Sequence, residues 1–492
     1  MTKNIEVLLK YYWTLSSTGY PAEKAEVLPP RLRRTRLYSA VRDISLRNIM
    51  QDKVEFTSLM AIMAARMVHL SRIPLIGFVR PEYYMQFALS AVRERMVTCQ
   101  SRGITGDRIL LQGIYNLALA EWLAQRFEVS LMHVRAAKLL LPLVNLDSPM
   151  DSFIAQGITI VDKLIAAETG ELPEFPLMFD PGPLEENRKR LICEELSAFA
   201  SGRFEPMHYP QSSAPDASKL TDAIISHQVD YLADASTIMD FSLGEGFERA
   251  LAANIIYPSL AFILRDLLDV LTMAKYVWRT PNATLDDADW MCKRARAICY
   301  RLLALRANIP FPEFSMWSAK TEALRIALVL VMLRCTNRMS FRSAQPNMRH
   351  LQRTLYGIDT TWDTLDTRSD PIANPVDTSV QVSQTNALPT SVSHSNTASS
   401  SVSPGTPSSI SHDSSGAPYH ENALLLWTLM TGHFASQGEP EELWFLMRAA
   451  YVAEHHMKLT GYEDLKEFMG KYLYSKTQQA TSLMTVAMHM SS

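Results

Sequence analysis

Residues 107–143 read DRILLQGIYNLALAEWLAQRFEVSLMHVRAAKLLLPL. Leu110, Ile114, Leu117, Ala118 and Trp122 fall at i, i+4, i+7, i+8 and i+12, which is one face of a helix. The second half repeats the pattern with Val134, Ala137, Leu141 and Val144. The two segments nearly adjoin, so an antiparallel helical hairpin is the simplest packing. Comparable helical periodicity recurs over 48–72, 82–101, 151–168, 187–202, 217–235, 247–277, 285–307 and 319–336. Alternating apolar and polar runs joined by Asn-Gly or Asp-Gly are missing, so nothing predicts a strand pair. The expected fold is all-α, a multi-helix array of antiparallel helical hairpins.

Two kinds of break divide the array. Residues 171–184, ELPEFPLMFDPGPL, hold four prolines and a glycine. Proline removes a backbone donor and restricts the residue before it, so a rigid loop is expected here. A second loop is expected at 203–216. The largest break runs over 366–418, where half of residues 378–415 are Ser or Thr and no Lys or Arg occurs between Arg368 and Arg448. Such a stretch buries too little apolar surface to offset its ordering entropy, and is read as a disordered linker. It is either a passive spacer or a phosphorylated regulatory segment. The organisation that follows is an N-terminal segment at 1–40, a helical domain at 41–365 and the linker at 366–418. C-terminal helices at 419–475 then close the same domain, and 476–492 read as a fraying tail in which Met484 to Met490 remain open to packing. Within the closing region, helices are expected from His420 to Ala435, from Glu441 to Lys458 and from Asp464 to Tyr474.

The chain has 492 residues, 47% of them hydrophobic, which is ample for a sizeable core. With 48 Lys and Arg against 51 Asp and Glu, the formal charge is −3, so no global field draws it to nucleic acid. Strong direct DNA binding is not expected. The N-terminal MTKNIEVLLKYYW lacks the pattern of a secretory signal. Apolar runs at Ile326–Leu333 and around Ile255–Leu264 fall well short of a bilayer span, so no membrane contact is expected. Cys99, Cys193, Cys292, Cys299 and Cys335 are scattered, with no CxxC pair, and read as reduced and mostly buried thiols.

Catalytic patterns fail in turn: no HExxH, no G-x-S-x-G and no Walker loop. Gly244-Glu245-Gly246 is a partial glycine pattern better read as a turn before a helix. Adjacent His455 and His456 diverge by about 100° on a helix and cannot chelate one metal together. They suit a helix C-terminus. Glu185-Glu186 and Asp286-Asp287-Asp289 open helices, where carboxylates favour the exposed N–H groups. Asn282-Ala283-Thr284 matches a glycosylation acceptor, but Thr284 with Asp287 three residues on reads as a helix cap. No catalytic, cofactor-binding or metal residue is expected, and no cofactor. Two basic runs stand out. Arg31, Arg33, Arg34 and Arg36 follow Pro29-Pro30 in a loop-like stretch open to nuclear import or phosphate contact, and Arg188, Lys189 and Arg190 fit a solvated helix face.

Four stretches in order along the chain carry a resemblance. They are Phe56 to Ala65 (FTSLMAIMAA), the hairpin Asp107 to Leu143, the loop Phe175 to Pro183 (FPLMFDPGP), and Leu424-Leu425-Leu426-Trp427 with Gly432, Trp444-Phe445 and Tyr462 to Tyr474. Together these resemble the fungal-specific regulatory domain that follows a binuclear zinc–cysteine cluster in fungal transcription factors. The likeness covers most of 40–360 and 419–475. Leu443 departs from it where the family often has a basic residue, as does the long Ser/Thr-rich insertion. The zinc cluster itself, six closely spaced cysteines, has no counterpart, since the first cysteine is Cys99. Either an upstream exon carries it or the chain regulates without direct DNA contact.

The resemblance implies a nuclear, non-enzymatic regulator. Its partners would be the transcriptional machinery or a DNA-binding protein, a second copy of the chain, and a small-molecule effector. The alternative is a cytoplasmic helical scaffold that shares only the fold.

Overall fold

The computed structural model describes residues 2–17, 49–201, 244–308, 318–336, 345–358, 417–474 and 476–490. The chain divides into Met1–Ile358 with Ala417–Ser492 as one unit, and Asp359–Gly416 as another. That second unit lies outside the described residues, as do the predicted helix at 217–235, the loop at 203–216 and the arginines at 31–36. Among the described residues there are 16 α-helices and no strand, so the all-α expectation holds.

The first half is built around one helix that is apolar on every side. Helix α1 spans Thr2–Ser17 and α2 spans Lys53–Ala65. In α2 the run from Leu59 to Ala65 is wholly buried, because α1, α3 (Pro81–Ser101) and α4 (Arg108–Leu123) surround it. The α2–α3–α4 contact is close: a Cβ on Gly113 of α4 would lie 2.5 Å from Val54 of α2 and 2.9 Å from Val92 of α3. Helix α5 (Phe127–Leu140) returns along α4 as the predicted hairpin, and α6 (Pro149–Thr169) packs on both. The turn between α4 and α5 uses Gln125 at φ 60°, a left-handed residue without a glycine to announce it.

Arg95 of α3 ties two helix starts together. Asp52 caps α2 by accepting from the Val54 N–H at 2.7 Å, and Asp107 caps α4 by accepting from the Leu110 N–H at 2.9 Å. The Arg95 guanidinium donates to both carboxylates, at 2.8 and 2.9 Å. Each cap is thereby held from behind, which fixes where α2 and α4 begin.

The second half repeats the design around α11 (Ala319–Thr336), where Ile326 to Leu330 are buried on all sides. Helices α9 (Pro258–Arg279) and α10 (Leu285–Ala304) form an antiparallel pair; α7 (Glu186–Ala200) lies on α9, and α10 lies on α11. Helix α12 (Gln345–Tyr356) packs on α11 and reaches α6, where the Asn347 amide donates to the Ala167 carbonyl. Helix α13 (Ala417–Ala435) returns to α11, followed by α14 (Glu442–Tyr451), α15 (Tyr462–Gly470) and α16 (Lys476–His489).

Two expectations need correction, for 247–277 and for the region beyond 476. The stretch 247–277 is two helices, α8 (Glu245–Ala252) and α9, because Asn254 turns the chain at φ 53° and Pro258 occupies the first turn of α9. The N-terminal segment, for which no packing was predicted, supplies core: Leu8 and Tyr11 are buried among the residues of α2 to α6. The region beyond 476 is a packed helix, with Leu483 and Val486 buried where α16 meets α13 and α14.

Candidate functional site

The proline-rich loop Leu172–Pro183 straps the surface where the two halves meet. Its conformation is set by carboxylates at three points. Asp162 of α6 accepts from the Glu174 and Phe175 N–H groups, both at 2.9 Å. Glu174 accepts from Arg135 at 2.6 Å and Lys138 at 3.3 Å, both on α5. Asp180 accepts from the Gly182 N–H at 3.0 Å within the tight turn, with Gly182 at φ 81°.

Asp180 also closes a four-membered ion network. Arg294 of α10 donates to Asp180 at 2.6 Å and to Asp266 of α9 at 2.6 Å. Arg301, two turns further along α10, donates to Asp266 at 2.9 Å and to Asp180. The two arginines and two carboxylates alternate, so each charge faces two of opposite sign. The side chain of Arg294 is 1% exposed and that of Asp266 7%. Charges this deep persist only when paired and hydrogen-bonded. Burial alone would raise the Asp180 carboxyl, but Arg294, the Gly182 N–H and Arg301 together hold it below the usual range. At Asp162 the balance goes the other way: burial outweighs the two N–H donors and pushes the carboxyl up to about 6.

Under the strap lies a cavity of about 40 Å³ between Phe175–Phe179, the Thr159–Lys163 turn of α6, and Ala297 and Tyr300 of α10. Strap, α6, α9 and α10 are therefore joined by charge and by a small interior space. The arrangement can latch a loop and respond to protonation; its carboxylates are committed to N–H and guanidinium donors.

The second basic run is only partly solvated. Arg188 donates to Asp287 of α10 at 2.6 and 3.1 Å and lies 5.2 Å over the Tyr276 ring of α9. Lys189 pairs with Asp269 at 2.6 Å, while Arg190 faces solvent beside Glu194. The run thus docks α7 onto α9 and α10. Asp287 also forms the predicted capping box with Thr284. Burial would raise its carboxyl, yet Arg188 and the Thr284 N–H and hydroxyl hold it low.

The other residues singled out by sequence take structural places. Gly244 precedes α8, and the Gly246 N–H donates to the Lys471 carbonyl at 2.6 Å in contact with Tyr472, where a side chain would not fit. His455 stacks on Tyr451 at 4.4 Å and His456 meets the same ring edge-on at 5.5 Å. Cys99, Cys292 and Cys299 are buried, while Cys193 is exposed. Among the described residues no group of three or more His, Cys, Asp or Glu side chains is placed to hold a metal ion, and no helix is long and apolar enough to cross a membrane.

The residues of the closing stretch meet in one cluster. Trp427 is fully buried, donates from its indole N–H to the Leu473 carbonyl at 3.1 Å, and packs edge-on against Phe247 at 4.9 Å. Phe247 in turn meets Tyr472 at 5.1 Å. Gly432 of α13 lies so close to the Phe445 ring of α14 that a Cβ would enter it. Asp162, Asp266, Arg294 and Arg301 were not singled out by sequence, and Asp180 entered only as part of the loop motif. The available signal was Arg294 and Arg301 at i, i+7 on one face of a buried helix, together with Asp180 in the Asp-Pro-Gly turn. Comparison with protein families, curated proteins and solved structures gives no match.

Proposed function

We propose that this chain is a non-enzymatic nuclear regulator, related to the regulatory domain of fungal zinc-cluster transcription factors, that acts through an effector or a protein partner. The observation that carries the reading is the order of the four motifs along the sequence. The geometry adds support: the hairpin, the strap and the closing cluster are each built by the residues that define those motifs. Phe56–Ala65 forms most of the central helix α2, Asp107 caps the hairpin, Asp180 latches the strap, Gly432 and Phe445 join α13 to α14, and Trp427 ties α13 to Leu473.

Regulation needs two packings and a ligand that prefers one. The strap is the element suited to it, because Arg294 and Arg301 on Asp180, and Arg135 and Lys138 on Glu174, hold a proline-stiffened loop across the junction of the halves. Charge supports an indirect route to DNA. The chain carries a formal −3, and two of the three cations in its second basic run already face aspartates.

The test is the location and company of the tagged full-length protein in a fungal cell. Nuclear accumulation with transcription machinery or a DNA-binding factor in the pull-down is the expected result. Exclusion from the nucleus under all growth conditions would overturn the proposal and favour a cytoplasmic scaffold. In a mobility-shift assay the chain alone is expected to bind DNA weakly; tight, sequence-selective binding would refute the indirect route.

A further inference from the structure

A second cavity, of about 140 Å³, lies apart from the strap, where the starts of α9 and α11 meet α13 and Ile358. Its wall is mainly aliphatic: Leu260, Ala323, Leu324, Leu424 and Leu425 contribute from three helices, and Ile256 from the bend just before α9. The polar groups around it are largely occupied with one another. Ser318 and Thr321 share a hydroxyl–hydroxyl bond of 3.0 Å, and the Thr321 N–H donates to Ser318 at 3.1 Å, so both serve the start of α11. Lys320 of α11 and Glu421 of α13 pair at 2.6 Å, with side chains 55% and 44% exposed.

We infer that this cavity binds a small, uncharged, mainly apolar molecule, an aromatic ring or branched aliphatic of about six to eight heavy atoms. Size sets the upper limit, since apolar cavities of about 150 Å³ stay dry and take up benzene. Chemistry sets the class. A polar or charged ligand would lose its water and find Ser318, Thr321, Lys320 and Glu421 already engaged, whereas an apolar one gives up no hydrogen bonds by entry. An unfilled void also leaves its lining atoms without dispersion contacts, which a ligand restores. Entry is inexpensive, because an ion pair this exposed contributes little to holding α11 and α13 together.

The ligand would touch α9, α11 and α13 at once, and so would favour the packing in which those helices keep their present spacing. This supplies a site and a chemical class for the effector of the proposed regulator. It rests on that reading for its biological meaning alone; the binding event stands without it.

The experiment uses the full-length chain with benzene as the probe molecule, followed by thermal unfolding and isothermal titration calorimetry. Near-saturated aqueous benzene is expected to raise Tm by about 1–2 °C and to give a saturable heat of one site. Ala323→Leu fills the cavity from α11, and Leu425→Phe fills it from the half-buried edge of α13. Whichever variant folds is expected to lose both responses. No response in the wild-type chain, or an undiminished response in a folded filled variant, overturns the inference. A chain that ignores benzene yet resides in the nucleus with transcription machinery loses this site alone. A chain that binds benzene but never enters the nucleus loses the functional reading alone.

Discussion

Replacing Arg294 with Met tests whether the strap is latched by charge. Methionine keeps much of the aliphatic stem, so the change removes the guanidinium with little loss of volume. Asp266, with a 7% exposed side chain, and Asp180, at 18%, each lose one of two cationic partners. Removing one member of a buried pair costs about 3–5 kcal/mol when the other charge is left alone. Here Arg301 still faces both carboxylates, and the Gly182 N–H still serves Asp180, so the expected loss falls to about 2–3 kcal/mol. Urea unfolding followed by circular dichroism measures it. The double variant Arg294→Met with Asp266→Asn should recover part of the loss, giving a coupling energy above about 1 kcal/mol. Hydrogen exchange should also rise along Leu172–Pro183. The sign with pH follows from the depressed Asp180: its contribution is full above the unfolded carboxyl value and lost as pH falls through the folded one. A loss below about 0.5 kcal/mol, or strict additivity in the cycle, would refute the latch.

Asp162 should give the opposite pH dependence. Its carboxyl, raised to about 6, contributes stability that is complete below the unfolded value near 3.8 and lost as pH rises through 6. The wild type should therefore lose up to about 3 kcal/mol relative to Asp162→Asn across that interval, read from Tm measured at several pH values. Parallel pH curves would count against it. Gly432→Ala forces a methyl group into the Phe445 ring and should cost about 2 kcal/mol or more, with Phe445→Leu in the same chain restoring part of it by urea unfolding. Arg95→Met removes the shared support of two helix caps and should cost about 1–2 kcal/mol, read as increased amide exchange at the starts of α2 and α4; unchanged exchange there would contradict it.

Helical period was the readable part of this sequence. In α5 the buried positions Ser130, Val134 and Ala137 fall on one face, whereas α4 is buried on every side from Gly113 to Leu123; the Thr284–Asp287 spacing announced the start of α10 because a capping box is a local device. Four prolines within fourteen residues announced the strap for the same reason. What stayed hidden depends on distant parts of the chain. Asp180 meets Arg294 and Arg301 across more than a hundred residues, and no local pattern signals such a pairing. Helix α16 looks like a tail in sequence because its apolar residues find something to pack on only once α13, α14 and α15 are in place. The break between α8 and α9 was masked because apolar residues continue through it, although Pro258 marks the place. The apolar cavity arises from the meeting of three helices, and each contributes residues that look like ordinary core.

The most direct measurement of the central proposal is a tethering assay. The full-length chain, fused to an unrelated DNA-binding domain, is placed upstream of a reporter gene in a fungal host and transcription is compared with that of the DNA-binding domain alone. A regulatory body acting through partners should change reporter transcription several-fold, in either direction, without contacting DNA itself. Unchanged transcription with the fusion folded, nuclear and bound at the reporter would contradict the account.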